Sequence, residues 1–188
     1  MFKLFSIFCL RLFGWDTKPR FNQEIKKCII VVAPHTSGWD IVIGVLYRSV
    51  IGISGARFFG KKELFDGPFG FIFKSLGGIP VDRFSKQNLV EQAIELFKEN
   101  EKFILALSPE GTRQRVDKLR TGFYYIAKGA KVPIVMAGFD FKNRKLLLSA
   151  PFYTSDNEEE DFRRIIEFFA PIQGKIPDLG MGHLLPKE

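Results

Sequence analysis

Cysteine is scarce in this 188-residue chain: only Cys9 and Cys28 occur, and neither sits in a CxxC or metal-like spacing. That excludes a disulfide-stapled scaffold and a cysteine-based metal site, and makes a reducing compartment the plain expectation. Also missing is any uninterrupted apolar stretch near the roughly 20 residues that a spanning helix needs, so the chain is not expected to cross a bilayer. The opening MFKLFSIFCLRLFGW looks at first like a signal peptide. Arg11 breaks its apolar run and no small-residue cleavage site follows, so export is not expected. Internal repeats and low-complexity tracts are absent too, which sets solenoids and long disordered linkers aside.

What is present points to one compact unit. A length of 188 residues with 46% hydrophobic content is the size of one domain and enough to fill its core. Lys and Arg number 28 against 21 Asp and Glu, and the resulting charge of +7 favours polyanionic partners: phosphorylated metabolites, anionic lipid or nucleic acid. Phenylalanine is abundant, 21 of 188, and fits either a dense aromatic core or an aromatic surface made for lipid.

On a helical wheel, Lys3, Ser6, Arg11 and Gly14 share one arc while Phe2, Leu4, Phe5, Ile7, Phe8, Leu12 and Phe13 cover the rest. Residues 1–15 therefore read as an amphipathic helix, suited to lying in the headgroup plane of a membrane or to packing on the domain's own core. Residues 16–176 form the body of the domain and 177–188 a loose tail. Within the body, Cys28–Ala33 is a short β-branched run without alternation, the signature of a buried strand in a parallel or mixed sheet. A helix is expected from Gly38 to Val50, N-capped by the Thr36–Ser37 pair. A strand follows over Ala56–Phe59, then a charged turn from Lys61 to Leu64, the aromatic block Phe69–Phe73, and a glycine turn from Gly77 leading to a short strand. Ser85–Asn100 has the clearest helical periodicity. After it come a strand at Phe103–Leu107, a helix at Thr121–Lys128, strands at Val132–Ala137 and Lys145–Ser149, and an acidic amphipathic helix at Glu158–Phe169. Strands alternating with helices argue for an α/β layered fold.

In open α/β sheets functional groups gather where loops leave the carboxyl ends of strands. His35 leaves the first buried strand and Asp40 lies five residues on, an HX4D spacing. With His35 at a helix N-terminus and Asp40 one turn inside it, the carboxylate can bond one ring nitrogen, leaving the other to accept a hydroxyl proton. That is a base with its orienter and no protein nucleophile, so a substrate hydroxyl would attack. Glu110-Gly111-Thr112-Arg113 also follows a buried strand; Gly111 permits close backbone approach, and Arg113 offers a planar fork suited to phosphate. Each segment alone has a bland reading, a histidine satisfied by a nearby carboxylate in one case and a tight turn with a surface ion pair in the other.

Taken together, the segments resemble the glycerolipid acyltransferase family that includes 1-acyl-sn-glycerol-3-phosphate acyltransferases. Four family blocks stand in family order: His35–Asp40 as HX4D, Gly77–Arg83 as the glycine-rich block ending in Val-Asp-Arg, Glu110–Arg113 as EGTR, and Val132-Pro133-Ile134. Lys61–Leu64 is similar to the basic element between the first two. The resemblance implies a single-layer mixed, mostly parallel sheet flanked by helices, of the glycerol-3-phosphate acyltransferase type, with the N-terminal amphipathic helix added. It implies an acyltransferase with no cofactor or metal. His35, oriented by Asp40, deprotonates the acceptor hydroxyl, which attacks the thioester of acyl-CoA or acyl carrier protein. Glu110, Gly111, Thr112 and Arg113 bind the acceptor near its phosphate, with Lys61 and Arg83 as further cations. The expected acceptor is a lysophospholipid, 1-acyl-sn-glycerol-3-phosphate first, and the expected location is peripheral, on the cytoplasmic face of a membrane contacted through residues 1–15.

Two features depart from the family pattern: Pro34 stands where many members have Asn before the histidine, and one short segment replaces the long N-terminal membrane helices of some members. The acceptor therefore stays open between lysophosphatidate, a lyso-aminolipid such as an ornithine or glycine lipid, and a lysophospholipid with a larger headgroup. A non-catalytic anionic-lipid-binding protein is the reading from another class, although such a protein has no use for His35 and Asp40 at this spacing. Nucleic acid is not an expected partner, because the cations are not interleaved with stacking aromatics.

Overall fold

The computed structural model describes residues 1–81 and 89–185. Helix α1 (Phe2–Leu12) precedes strand β1 (Lys27–Val32), helix α2 (Trp39–Val50), strand β2 (Arg57–Lys61), the short helices α3 (Lys62–Asp66) and α4 (Gly70–Ser75), and strand β3 (Gly78–Val81). Then follow α5 (Leu89–Glu99), β4 (Phe103–Leu107), α6 (Gly122–Ala130), β5 (Ile134–Asp140), β6 (Lys145–Leu148) and α7 (Glu158–Phe169). The six strands form one sheet in the order β3-β2-β4-β1-β5-β6. The first five run parallel, and β6 turns back antiparallel along β5. The expected single-layer, mostly parallel α/β sheet with flanking helices is what the chain forms.

β1 lies in the middle with a parallel neighbour on each side, which is why Cys28–Val31 needs apolar side chains on both faces. Ile29 and Val31 face a cluster with Phe97 of α5, Phe123 of α6 and Phe169 of α7. Cys28 and Ile30 face the other cluster, with Leu10 of α1 and Ile43 and Tyr47 of α2. The sheet thus carries α5, α6 and α7 on one face and α1 and α2 on the other.

Three local readings differ from the structure. Lys62–Asp66 and the aromatic block form short helices rather than a turn and an unassigned segment, since their apolar residues fall at helical spacing too briefly to be read alone. The N-cap of α2 is Gly38, without a side-chain cap, because Asp40 takes over the backbone donors of the preceding turn. Residues 177–179 and 182–184 make two 3-10 turns that bury Met181 in the core, although the segment shows no periodicity.

Helix α1 packs on α2 through a narrow stripe. Only Ser6 and Leu10 are buried, and the Ser6 hydroxyl donates to the Phe2 carbonyl of its own helix at 2.9 Å. Phe2, Leu4, Phe5, Phe8, Leu12 and Phe13 remain between 50% and 73% exposed. No helix among the described residues is long and apolar enough to cross a membrane.

Candidate active site

Because β3, β2, β4 and β1 are parallel neighbours, their carboxyl ends form one edge; the basic, HX4D and EGTR motifs leave that edge, whereas Val132-Pro133-Ile134 enters β5 at the opposite one. Lys61 ends β2, Glu110 follows β4, and His35 follows β1. Arg83, beyond the end of β3, lies outside the described residues. The β1–β4 register aligns Val31 with Leu107, so the His35 and Glu110 loops rise side by side.

A hydrogen bond joins these two loops. The Ala33–Pro34 peptide is cis, and His35 follows with its side chain 21% exposed. Asp40, the second residue of α2, is buried and points back along the chain. Its Oδ2 accepts the Thr36 and Ser37 backbone N–H groups, both at 2.8 Å, and lies 3.1 Å from His35 Nδ1. One carboxylate oxygen therefore holds the loop and faces the ring. When Nδ1 donates to that oxygen, Nε2 is left as the acceptor, the tautomer a general base requires. Asp40 Oδ1 is buried with no partner.

Glu110 is buried, and its Oε2 accepts the His35 backbone N–H at 2.6 Å, with the Ser108 hydroxyl 3.4 Å away. Burial raises its pKa, opposed mainly by the His35 N–H bond. Its side chain thereby braces the histidine loop. Gly111 has φ +64°, a left-handed conformation that favours glycine, and the flexible Arg120 side chain lies over it. Thr112 is half-buried, and its hydroxyl accepts the Gln114 N–H at 3.3 Å. Arg113 and Lys61 are exposed cations with no hydrogen-bond or ion-pair partner among the described residues. The structure thus joins His35, Asp40 and Glu110 directly, and puts Lys61 and Arg113 on the same edge without touching them.

Two supports escaped the reading of residues. Thr36, expected as a cap, is buried, and its hydroxyl accepts the Ile176 N–H at 3.2 Å, tying the distant C-terminal segment to the histidine loop. Ser108 stands two residues before Glu110, a proximity that could have marked it as a partner. Residues 170–176 carried no signal, because their contribution is made by backbone groups and close packing.

An imidazole whose Nδ1 faces a carboxylate, on an edge that also carries cations with no partner among the described residues, can take a proton from a hydroxyl on an anionic molecule. A family model described as Acyltransferase matches residues 16–139. No curated protein matches the chain. Among solved structures it is similar to the crystal structure of the 1-acyl-sn-glycerophosphate (LPA) acyltransferase PlsC from Thermotoga maritima, with a TM-score of 0.59 at 20% identity, over 89% of this chain and 74% of that one. At that identity the likeness concerns the fold, whereas the family match spans most of the chain and covers the HX4D and EGTR segments alike. On these grounds the chain belongs to the acyltransferase family.

Proposed function

We propose that this enzyme transfers a fatty acyl group from acyl-CoA or acyl carrier protein to the free hydroxyl of a lysophospholipid, 1-acyl-sn-glycerol-3-phosphate first among them, as a step of phospholipid biosynthesis. The observation that carries the reading is the pair of His35 Nδ1 and Asp40 Oδ2 at 3.1 Å, with the ring partly open to solvent on the edge that also bears Arg113. His35 Nε2 takes the acceptor's hydroxyl proton as the oxygen bonds to the thioester carbonyl carbon. When the tetrahedral intermediate collapses, the carbon–sulfur bond breaks and the imidazolium returns the proton to the leaving thiolate. Arg113 and Lys61 hold the acceptor's phosphate and so position its hydroxyl. Glu110 keeps the His35 backbone in place.

The work is done at a membrane surface, on its cytoplasmic side. Both acceptor and product are lipids, and the exposed aromatic face of α1, with Lys3 and Arg11 beside it, suits an anionic bilayer. The test is to incubate the purified chain with labelled acyl-CoA or acyl carrier protein thioester and a panel of lysolipids. Label should pass to lysophosphatidate, and His35→Ala should slow transfer roughly 10²- to 10⁴-fold. Transfer only to lyso-aminolipids would move the acceptor to that class, and lipid binding without transfer would leave only the binding function.

A further inference from the structure

A concave feature lies off the edge just described. Arg115 and the residues after α7 border an open hollow of about 320 Å³, lined among others by Ile172, Gln173, Pro177, Asp178 and His183. None of the site residues lines it, but the segments that form it run beside the two site loops. On one side Gly174 is so close that a Cβ would meet Thr36 at 2.7 Å and Pro34 at 3.2 Å, and Ile176 bonds the Thr36 hydroxyl. On the other, Arg115 follows Arg113 by two residues. His183 braces one wall to the other: its Nε2 is 2.8 Å from the Val116 carbonyl and its Nδ1 is 3.0 Å from the Gly180 carbonyl.

The hollow's chemistry is that of a phosphate-bearing, partly apolar ligand. Arg115 is exposed, and its guanidinium has no hydrogen bond or ion pair among the described residues, although the Asp178 carboxylate lines the same hollow. Around it the loop from Arg113 to Arg120 carries four cations against Asp117. Gln173 adds an amide, and Ile172 and Pro177 add apolar wall. Ile172 and Met181 belong to the cluster with α5, α6 and α7, whereas α1 lies over the opposite face of the sheet with α2. A ligand in the hollow would approach the histidine loop from the side away from the aromatic helix, where a water-soluble molecule has access.

We propose that this hollow docks the phosphate-bearing carrier of the acyl thioester, with Arg115 as the cation for its phosphate. The assignment rests on the reading that a thioester of coenzyme A or acyl carrier protein is the donor. Both carriers bear a phosphorylated pantetheine arm, and both reach the site from water, while the lipid acceptor arrives from the face with α1. The test is steady-state kinetics of the full chain and of Arg115→Ala with each thioester. The donor KM should rise about tenfold, the worth of one charge-assisted contact, with the acceptor KM unchanged and part of the loss restored in Arg115→Lys. Asp178→Asn should lower the donor KM, because it removes a like charge from the phosphate's surroundings. A rise with both thioesters assigns the contact to the pantetheine phosphate, and a rise with acyl-CoA alone assigns it to the nucleotide phosphates. An unchanged donor KM, or an acceptor KM that rises instead, overturns the proposal. Absence of transfer from either thioester by the intact chain defeats the donor reading itself, and the hollow's assignment falls with it.

Discussion

Replacing Asp40 with asparagine separates the two things its carboxylate does. Oδ2 accepts the Thr36 and Ser37 N–H groups at 2.8 Å and faces His35 Nδ1 at 3.1 Å. In Asp40→Asn the amide oxygen must take that position, because the flipped amide would point an NH₂ at two backbone donors. The loop and the His35 tautomer therefore survive, and the negative charge does not. At an effective dielectric near 20, two unit charges about 4 Å apart interact by about 4 kcal/mol, a ceiling on what the carboxylate lends the imidazolium. At about 1.4 kcal/mol per decade, kcat should fall roughly 10²- to 10³-fold. The amide's NH₂ would lie where Oδ1 already has no partner, costing about 1 kcal/mol, or a few degrees of Tm. Asp40→Ala should lose activity and also strand the two backbone donors, lowering Tm by on the order of 10 °C. Thiol release at saturating donor, read beside thermal melts, follows both quantities. An Asp40→Asn enzyme within threefold of the wild-type kcat would refute the assignment of Asp40 as the orienter of a general base.

Arg113→Ala should raise the acceptor KM roughly tenfold or more with a smaller effect on kcat, and a KM change confined to the donor would remove Arg113 from the phosphate site. Burial holds the Glu110 pKa above the ordinary range. The native state therefore keeps that proton at pH values where the unfolded chain has released it, and stability falls as pH climbs from about 4.3 through the raised value. Glu110→Gln should remove this component from the pH dependence of Tm while lowering kcat; an unaltered slope would show that Glu110 does not titrate with folding. Phe5→Asp combined with Phe8→Asp should weaken co-sedimentation with anionic vesicles at least tenfold, since each buried phenylalanine is worth about 1.5–3 kcal/mol. Both positions are exposed, so Tm should hold. Equal pelleting of the two proteins would exclude α1 as the membrane contact. These substitutions test it more cleanly than removal of residues 1–15, because Leu10 and Trp15 belong to the core.

Legibility followed the range of the interaction. Cys28–Val32 reads as a buried parallel strand because burial on both faces demands an unbroken β-branched run, and the pairing of His35 with Asp40 spans only five positions of one turn. The grip of Glu110 on the His35 N–H joins residues 75 apart, and no local pattern distinguishes an acid that binds substrate from one that binds backbone. For the same reason Thr36 looks like a helix cap until Ile176 is brought against it. The face of α1 that packs could not be chosen from its wheel, since nearly the whole circumference is apolar; the surface of α2 selects Ser6 and Leu10.

The residues alone determined the class of fold, because periodicity, chain-local spacing and residue type act over one turn or one strand, and the kind of chemistry followed from the resemblance of their ordered motifs to one family. The tertiary structure decided which side chains share the edge, which acid binds the histidine loop, and where a hollow opens beside the C-terminal segment. Those outcomes depend on the order β3-β2-β4-β1, in which segments far apart in sequence become hydrogen-bonded neighbours, and that order is set by the packing of the whole chain.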